Sequence, residues 1–406
     1  MTLNRRQFIV LGGLALGACS SAAVSQGSGQ DRGVPAEAVA EIGGGGDAGT
    51  GTSTGAQPNG REDAGTQSVG ETIGPAGLYA PERGDIRAIV ISDMNSRYGS
   101  TEYKTEVLRG IELLPDWQPD LVICAGDMIA AQKISLTSAE VDLMWSEFDR
   151  QILTPIRGMN LPFALTIGNH DASGLVRDGG YVFEVDRQSA TRYWQAHQDA
   201  LALVYVDTGN FPYYYSFKQN DIFYLVWDAS AADVPAEQIA WADRSLGSPE
   251  AQSAKLRIVM GHLPFFAISQ GRDRTGEILN QPEALRSLLE RHQVHTYISG
   301  HHHAYYPAHA GQLELLHCGA LGSGPRTWLE RTDTAMQTLT VLDIFLGDPA
   351  AATVYTTYNM NTMQRVDAQQ LPRQIVGPTG RLLRHDVTLA NLSEAELNQQ
   401  YVPSLH

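Results

Sequence analysis

Cysteine is scarce: Cys19, Cys124 and Cys318 are the only three in 406 residues. Three are too few for a disulfide framework, so a hydrophobic core must hold the fold unaided. Basic residues are in deficit as well, with 29 Lys and Arg against 45 Asp and Glu and a formal net charge of -16. Phosphate backbones are held by clustered Lys and Arg, so this balance argues against broad capture of nucleic acid, and no nucleic-acid binding is expected. The apolar run at the amino terminus, Phe8 to Leu16, falls short of the ~20 residues a spanning helix needs. No internal repeat is evident. What remains is 43% hydrophobic and 18% charged, an ordinary globular composition that can bury a large core.

The amino terminus reads as an export signal, with Arg5-Arg6 ahead of the apolar run and small residues before Cys19. Asn4-Arg5-Arg6-Gln7-Phe8 resembles a twin-arginine (Tat) signal, and Leu16-Gly17-Ala18-Cys19 resembles a bacterial lipobox. The resemblance implies that residues 1–19 are a lipoprotein signal and that Cys19 carries a lipid anchoring the chain to a membrane. The expected location is the bacterial cell envelope, at the periplasmic or outer-membrane face, with Ser20 favouring the latter. An ordinary cleaved signal with an incidental cysteine is the alternative. Residues 20–84 are rich in Gly, Ser, Thr and Ala, including Gly43-Gly44-Gly45-Gly46, and read as a flexible tether that cannot bury enough surface to order itself.

From residue 85 the texture changes to short apolar strands alternating with amphipathic helices, an α/β pattern. Strands are predicted at 87–92, 121–125, 163–167, 222–227, 256–260, 295–299, 313–317 and 338–345. Helices are predicted at 102–114, 139–153, 190–201, 236–246 and 282–292, with Thr101 and Ser138 as candidate caps. Val141, Met144, Trp145, Phe148 and Ile152 recur at helical spacing and predict a buried stripe. The segment 172–220 is long enough to form a local substructure near a site. Its Tyr213-Tyr214-Tyr215-Ser216-Phe217 stretch reads as core more than as a ligand platform. Residues 85–347 form the expected folded domain, and 348–406 a C-terminal extension with a possible strand at 353–358 and a weakly patterned tail.

Five polar clusters stand at or near strand ends: Asp93-Met94-Asn95, Gly126-Asp127, Gly168-Asn169-His170-Asp171, Gly261-His262 and Gly300-His301-His302-His303. Ligands bind beyond the carboxyl ends of strands in open α/β sheets, so loops distant in sequence can converge there. Taken singly none is decisive: Gly-Asp is commonly a turn, Gly-Asn-His a capping turn, and His262 before Leu263-Pro264 a core histidine. In the triple histidine, strand alternation predicts that His301 and His303 share a side while His302 points away.

In order, these clusters resemble the signatures of the calcineurin-like metallophosphoesterases: Asp-x-His, Gly-Asp, Gly-Asn-His-Asp/Glu, a lone His and Gly-His-x-His. The resemblance spans about 87–324. It implies the four-layer αββα fold of that family, two central β-sheets flanked by helices. It also implies two divalent or trivalent transition-metal ions, one held by Asp93, Asp127 and His303 and the other by Asp127, Asn169, His262 and His301. Mixed carboxylate, amide and imidazole ligation suits Mn, Fe or Zn better than Ca. Asn95 stands where the family has a histidine and is a weaker ligand. Ala130 stands where purple acid phosphatases carry a tyrosine, so an iron–tyrosinate site is not expected.

The implied activity is metal-dependent hydrolysis of a phosphomonoester or phosphodiester, a small substrate, by a hydroxide bridging the dinuclear centre. His170 is the candidate for protonating or stabilising the leaving oxygen, with Asp171 orienting it and raising its pKa. The alternative is a catalytically weak envelope lipoprotein that binds metal and a phosphorylated ligand on the same scaffold, for which Asn95 is the best support. Arg97, Arg272 and Arg274 are rim candidates that read more simply as solvated arginines. Cys124 and Cys318 read as small buried hydrophobes.

Overall fold

The computed structural model describes residues 71–347 and 352–403; Cys19, the rest of the signal and most of the tether lie outside them. The apolar runs pair into sheets. In chain order the strands are β1 (Ile86–Ile91), β2 (Leu121–Cys124), β3 (Phe163–Leu165), the short pair β4 (Val176–Arg177) and β5 (Gly180–Tyr181), β6 (Tyr205–Asn210), β7 (Tyr214–Gln219), β8 (Ile222–Val226) and β9 (Leu256–Met260). They continue with β10 (Thr296–Ser299), β11 (Tyr305–Ala310), β12 (Leu313–Cys318), β13 (Thr338–Ile344), β14 (Thr353–Asn359), β15 (Gln364–Arg365), β16 (Gln374–Gly377) and β17 (Gly380–Arg384). One sheet has six strands in the order β15-β14-β13-β1-β2-β3, the other nine in the order β16-β17-β11-β12-β10-β9-β8-β7-β6.

Each sheet has a parallel part: β1, β2 and the edge strand β3 at one end of the first, and β8, β9, β10 and β12 in the middle of the second. Every residue of β1, β2 and β8 is buried, which is why β2 and β8 are unbroken apolar runs rather than alternating ones and β1 is apolar but for Arg87. Helices flank the two sheets, giving the layered α/β architecture expected. Arg87, fully buried in β1, is paired with Asp343 of β13 through Nε at 2.7 Å, and its other N–H groups donate to the Ile73, Trp117 and Pro81 carbonyls. A buried charge with every donor satisfied fixes the β1–β13 register.

Helix ends differ from expectation for local reasons. The helix Ser138–Phe148 is capped by Thr137, which forms a reciprocal capping box with Glu140, so Ser138 is its first residue rather than its cap. Its stripe of Val141, Met144, Trp145 and Phe148 is buried as predicted. The helix after Thr101 begins only at Thr105, with no side-chain cap. The helix Glu184–His197 starts six residues before the predicted 190. Its first turns look too polar for a buried helix, but Arg187 is drawn inward by Asp228 at 2.9 Å and by the rings of Tyr181 and Tyr213.

Candidate metal centre

The parallel strands of both sheets end at one place. The β1 strand leads to Asp93, β2 to Asp127, β3 to Asn169, β9 to His262 and β10 to His301 and His303. All six side chains are buried, none more than His303 at 9% exposure. Asp93 Oδ1 lies 3.2 Å from His303 Nε2. Its carboxylate accepts from Ser92 Oγ at 2.7 Å and from the His301 N–H at 3.1 Å. Asp127 Oδ1 accepts from the His170 N–H at 2.8 Å, and Oδ2 faces His262 Nε2 at 3.3 Å without hydrogen-bond geometry. The Asn169 amide donates to Gln132 Oε1 at 2.8 Å, which turns its carbonyl oxygen toward His262 Nε2 at 2.9 Å and His301 Nδ1 at 2.8 Å. Asn95 is buried beside them, its N–H bonded to the Asp127 carbonyl at 3.2 Å and its carbonyl to the Ser323 N–H at 2.9 Å.

The arrangement makes electrostatic sense only with a proton or a metal ion between the facing groups. His262 Nδ1 lies 2.8 Å from the Ala125 carbonyl and His303 Nδ1 2.8 Å from that of Gly324. A neutral ring donates its one N–H there and leaves the lone pair of Nε2 aimed inward. Inward from His262 are the oxygens of Asn169 and Asp127, and inward from His303 is Asp93, all acceptors. Asp127 Oδ2 and His303 Nε2 are buried with no hydrogen-bond partner. Lone pair facing lone pair is repulsive unless a proton or a metal ion lies between. Burial opposes charging His262, yet Asp127 beside it carries the imidazole up to about 9. Burial likewise opposes an ionised Asp127, and His262 and His170 outweigh it to hold the carboxyl well below its usual range. Ligand atoms of Asp93, Asp127 and His262 all lie within 4.8 Å of one another. Carboxylate, amide and imidazole donors so placed fit a first-row transition ion.

The backbone is strained to achieve this. Asp93, Asp127, His301 and His303 all adopt left-handed conformations, with φ of 49°, 56°, 64° and 54°. Such conformations cost non-glycine residues about 1–3 kcal/mol each and persist where surroundings over-determine them. Gly126 has φ 94°, and a Cβ on Gly168 would fall onto the Asp127 carboxylate. His302 does point away, bonding the Glu277 carbonyl at 3.0 Å and the Ile268 N–H at 3.2 Å. The cause is this pair of left-handed turns beyond β10, not strand alternation.

Asp171 does something other than orient His170. Its carboxylate accepts four backbone N–H groups, from Gly168, Asp127, Met128 and Ile129, at 2.7–3.0 Å. It therefore staples the Gly-Asn-His-Asp turn to the Asp127 turn. The ring of His170 packs at a tilt of 32° against Tyr98, centroids 4.9 Å apart, and its Nδ1 has no hydrogen-bond partner. Burial lowers its pKa from the ordinary value despite Asp127, the reverse of the expected rise. Glu277 carries no motif and was not legible, yet its Oε2 lies 3.0 Å from His301 Nε2 and pairs with Arg272. Cys124 and Cys318 are free and buried, as expected.

A cavity of about 610 Å³ opens beside these groups, lined by Tyr98, Asn169, His170, Arg272, Glu277 and His301 among others. A sequence model of the family described as calcineurin-like phosphoesterase matches residues 86–305. No curated protein matches the chain at a significant level. Among solved structures, the chain is similar to a purple acid phosphatase from yellow lupin (Lupinus luteus) seeds, at 15% identity and a TM-score of 0.50, over 70% of this chain and 52% of that one. The match thus spans about half the length of the lupin protein. It is also similar to a dimetal phosphatase from Danio rerio, at 12% identity and a TM-score of 0.42, over 64% of this chain and 93% of that one.

Proposed function

Since the chain belongs to the calcineurin-like phosphoesterase family, we propose that it hydrolyses a phosphomonoester or phosphodiester at a dinuclear metal centre. Asp93, Asp127 and His303, with Asn95 beside them, would hold one ion, and Asp127, Asn169, His262 and His301 the other. The observation that carries this reading is the buried Asp127 Oδ2, without a hydrogen-bond partner and 3.3 Å from His262 Nε2. Two ions bound there supply Lewis acidity and a strong nucleophile at neutral pH. The chain's own part is to orient the imidazoles through the Ala125 and Gly324 carbonyls and to fix Asp127 through Asp171. His170, which lines the cavity, is the group that would stabilise or protonate the leaving oxygen.

The full-length protein, stripped and reloaded with Mn, Fe or Zn, is expected to turn over p-nitrophenyl phosphate or bis(p-nitrophenyl) phosphate. Asp127→Asn should lower that rate at least about 10³-fold, since several kcal/mol of metal assistance are lost. A folded wild type that binds metal and phosphate yet never turns over would instead establish the binding-protein alternative. Asn95→His is expected to tighten the first site; unchanged metal affinity by calorimetry would remove Asn95 from the ligand set. We further place the enzyme in the bacterial envelope, tethered by lipid on Cys19. That placement rests on the lipobox-like Leu16-Gly17-Ala18-Cys19, and mass spectrometry of the mature amino terminus tests it.

A further inference from the structure

One wall of the cavity is built of arginine: Arg272, Arg274 and Arg326 line it together. Two of them are fixed against histidines of the centre. Arg272 NH1 lies 3.2 Å from His301 Nε2, and the Arg326 backbone N–H donates to the His303 carbonyl at 2.9 Å. Glu277 serves two of the three, pairing with Arg272 through Oε2 and with Arg274 through Oε1 at 3.2 Å. Arg326 has no carboxylate partner among the described residues; its NH1 donates to the Gln270 carbonyl at 2.9 Å. The Nε of Arg326 and the Nε of Arg272 are both buried without a hydrogen bond.

Of the carboxylates nearby, Asp233 lines the same cavity, is exposed and accepts from Asn280 at 2.6 Å, and Asp273 receives the Tyr401 hydroxyl at 2.9 Å. Three guanidiniums lining one cavity, two of them sharing a carboxylate and the third without one, are an arrangement an anion relieves, and the planar fork suits phosphate. The same cavity is lined by the apolar surface of Tyr98, Leu175 and Val176, 55%, 43% and 57% exposed.

Building on the phosphoesterase reading, we propose that Arg272, Arg274 and Arg326 form a second anion subsite. The substrate is then a diphosphate or bisphosphate ester, one phosphoryl group at the metal ligands, the other on the arginines, its organic part against Tyr98 and Leu175–Val176.

Calorimetric titration of the metal-reloaded full-length protein with inorganic phosphate and pyrophosphate, in excess free metal, reads the subsite without turnover. Pyrophosphate is expected to bind at least about tenfold tighter, the size of one charge-assisted hydrogen bond. In Arg326→Gln that ratio should fall to within about twofold, while Arg326→Lys retains part of it. Should Arg326→Gln fail to fold, Arg274→Gln, on the exposed side of the wall, is read in the same way. Equal binding of the two anions, no binding of either, or a ratio unmoved in the folded glutamine variant overturns the subsite. Turnover of p-nitrophenyl phosphate is followed in parallel. Its absence with the binding ratio intact sinks the phosphoesterase reading alone, and its presence without a ratio sinks the subsite alone.

Discussion

His301 meets oxygen on both sides of its ring: Asn169 Oδ1 at Nδ1 and Glu277 Oε2 at Nε2. If Nδ1 is the ligating nitrogen, Nε2 must keep the proton, and Glu277 is placed to accept it. A carboxylate in that position fixes the ring and raises its basicity, with about 10- to 100-fold of metal affinity at stake. Glu277→Ala is therefore expected to weaken the second metal by about that factor in chelator competition, and Glu277→Gln by less, because the amide oxygen still accepts. Equal affinity in all three proteins would reduce Glu277 to a partner for Arg272 and Arg274. At this scale the sequence was informative where chemistry is local. Asp93, Asp127, Asn169, His262, His301 and His303 each sit in a short motif, and all six converge. The role of Glu277 was hidden because it depends on a loop folding back onto a histidine 24 positions away, and the stapling by Asp171 was hidden because three of its four donors belong to the backbone of another turn.

Among the elements, parallel strands such as β2 and β8 were legible because burial on both faces makes them continuous apolar runs. The edge strand β6 was not, since five of its six residues are exposed and leave no pattern to read. The tail beyond β14 was also opaque, though its β16–β17 hairpin adds to the second sheet alongside β11. A half-buried position in that sheet carries an acid. Glu314 of β12 lies opposite Thr296 of β10, with Oε2 buried and without a hydrogen bond. Burial pushes its carboxyl up to about 7, against the pull of His309. The folded state thus holds the proton more tightly than the unfolded chain, whose glutamate titrates near about 4.3. Its contribution to stability is complete below that pH and is lost as pH rises through about 7. Denaturant titrations from pH 4.5 to 8 should show wild type losing stability relative to Glu314→Gln; parallel curves would mean Glu314 stays ionised in the folded protein.

For the molecule as a whole, the candidate ligands come from the ends of two sheets: Asp93, Asp127 and Asn169 follow strands of one, and His262, His301 and His303 follow strands of the other. Ions bound among them would tie the sheets together and bind only where both are in register. The unfolded chain offers no such constellation, so binding must stabilise the fold, by about 2.7 kcal/mol per site when free metal is 100-fold above Kd. In a protein of this size that corresponds to a rise in Tm of several degrees. Chelation should therefore lower the Tm of the wild type, and re-addition of Mn or Zn should restore it in proportion to log concentration. Asp127→Asn removes a carboxylate placed between the two sets and should flatten that dependence, even if the variant without metal is as stable as the wild type without metal. A wild type whose Tm ignores metal that calorimetry shows to be bound would mean the ions sit elsewhere than at the meeting of the two sheets.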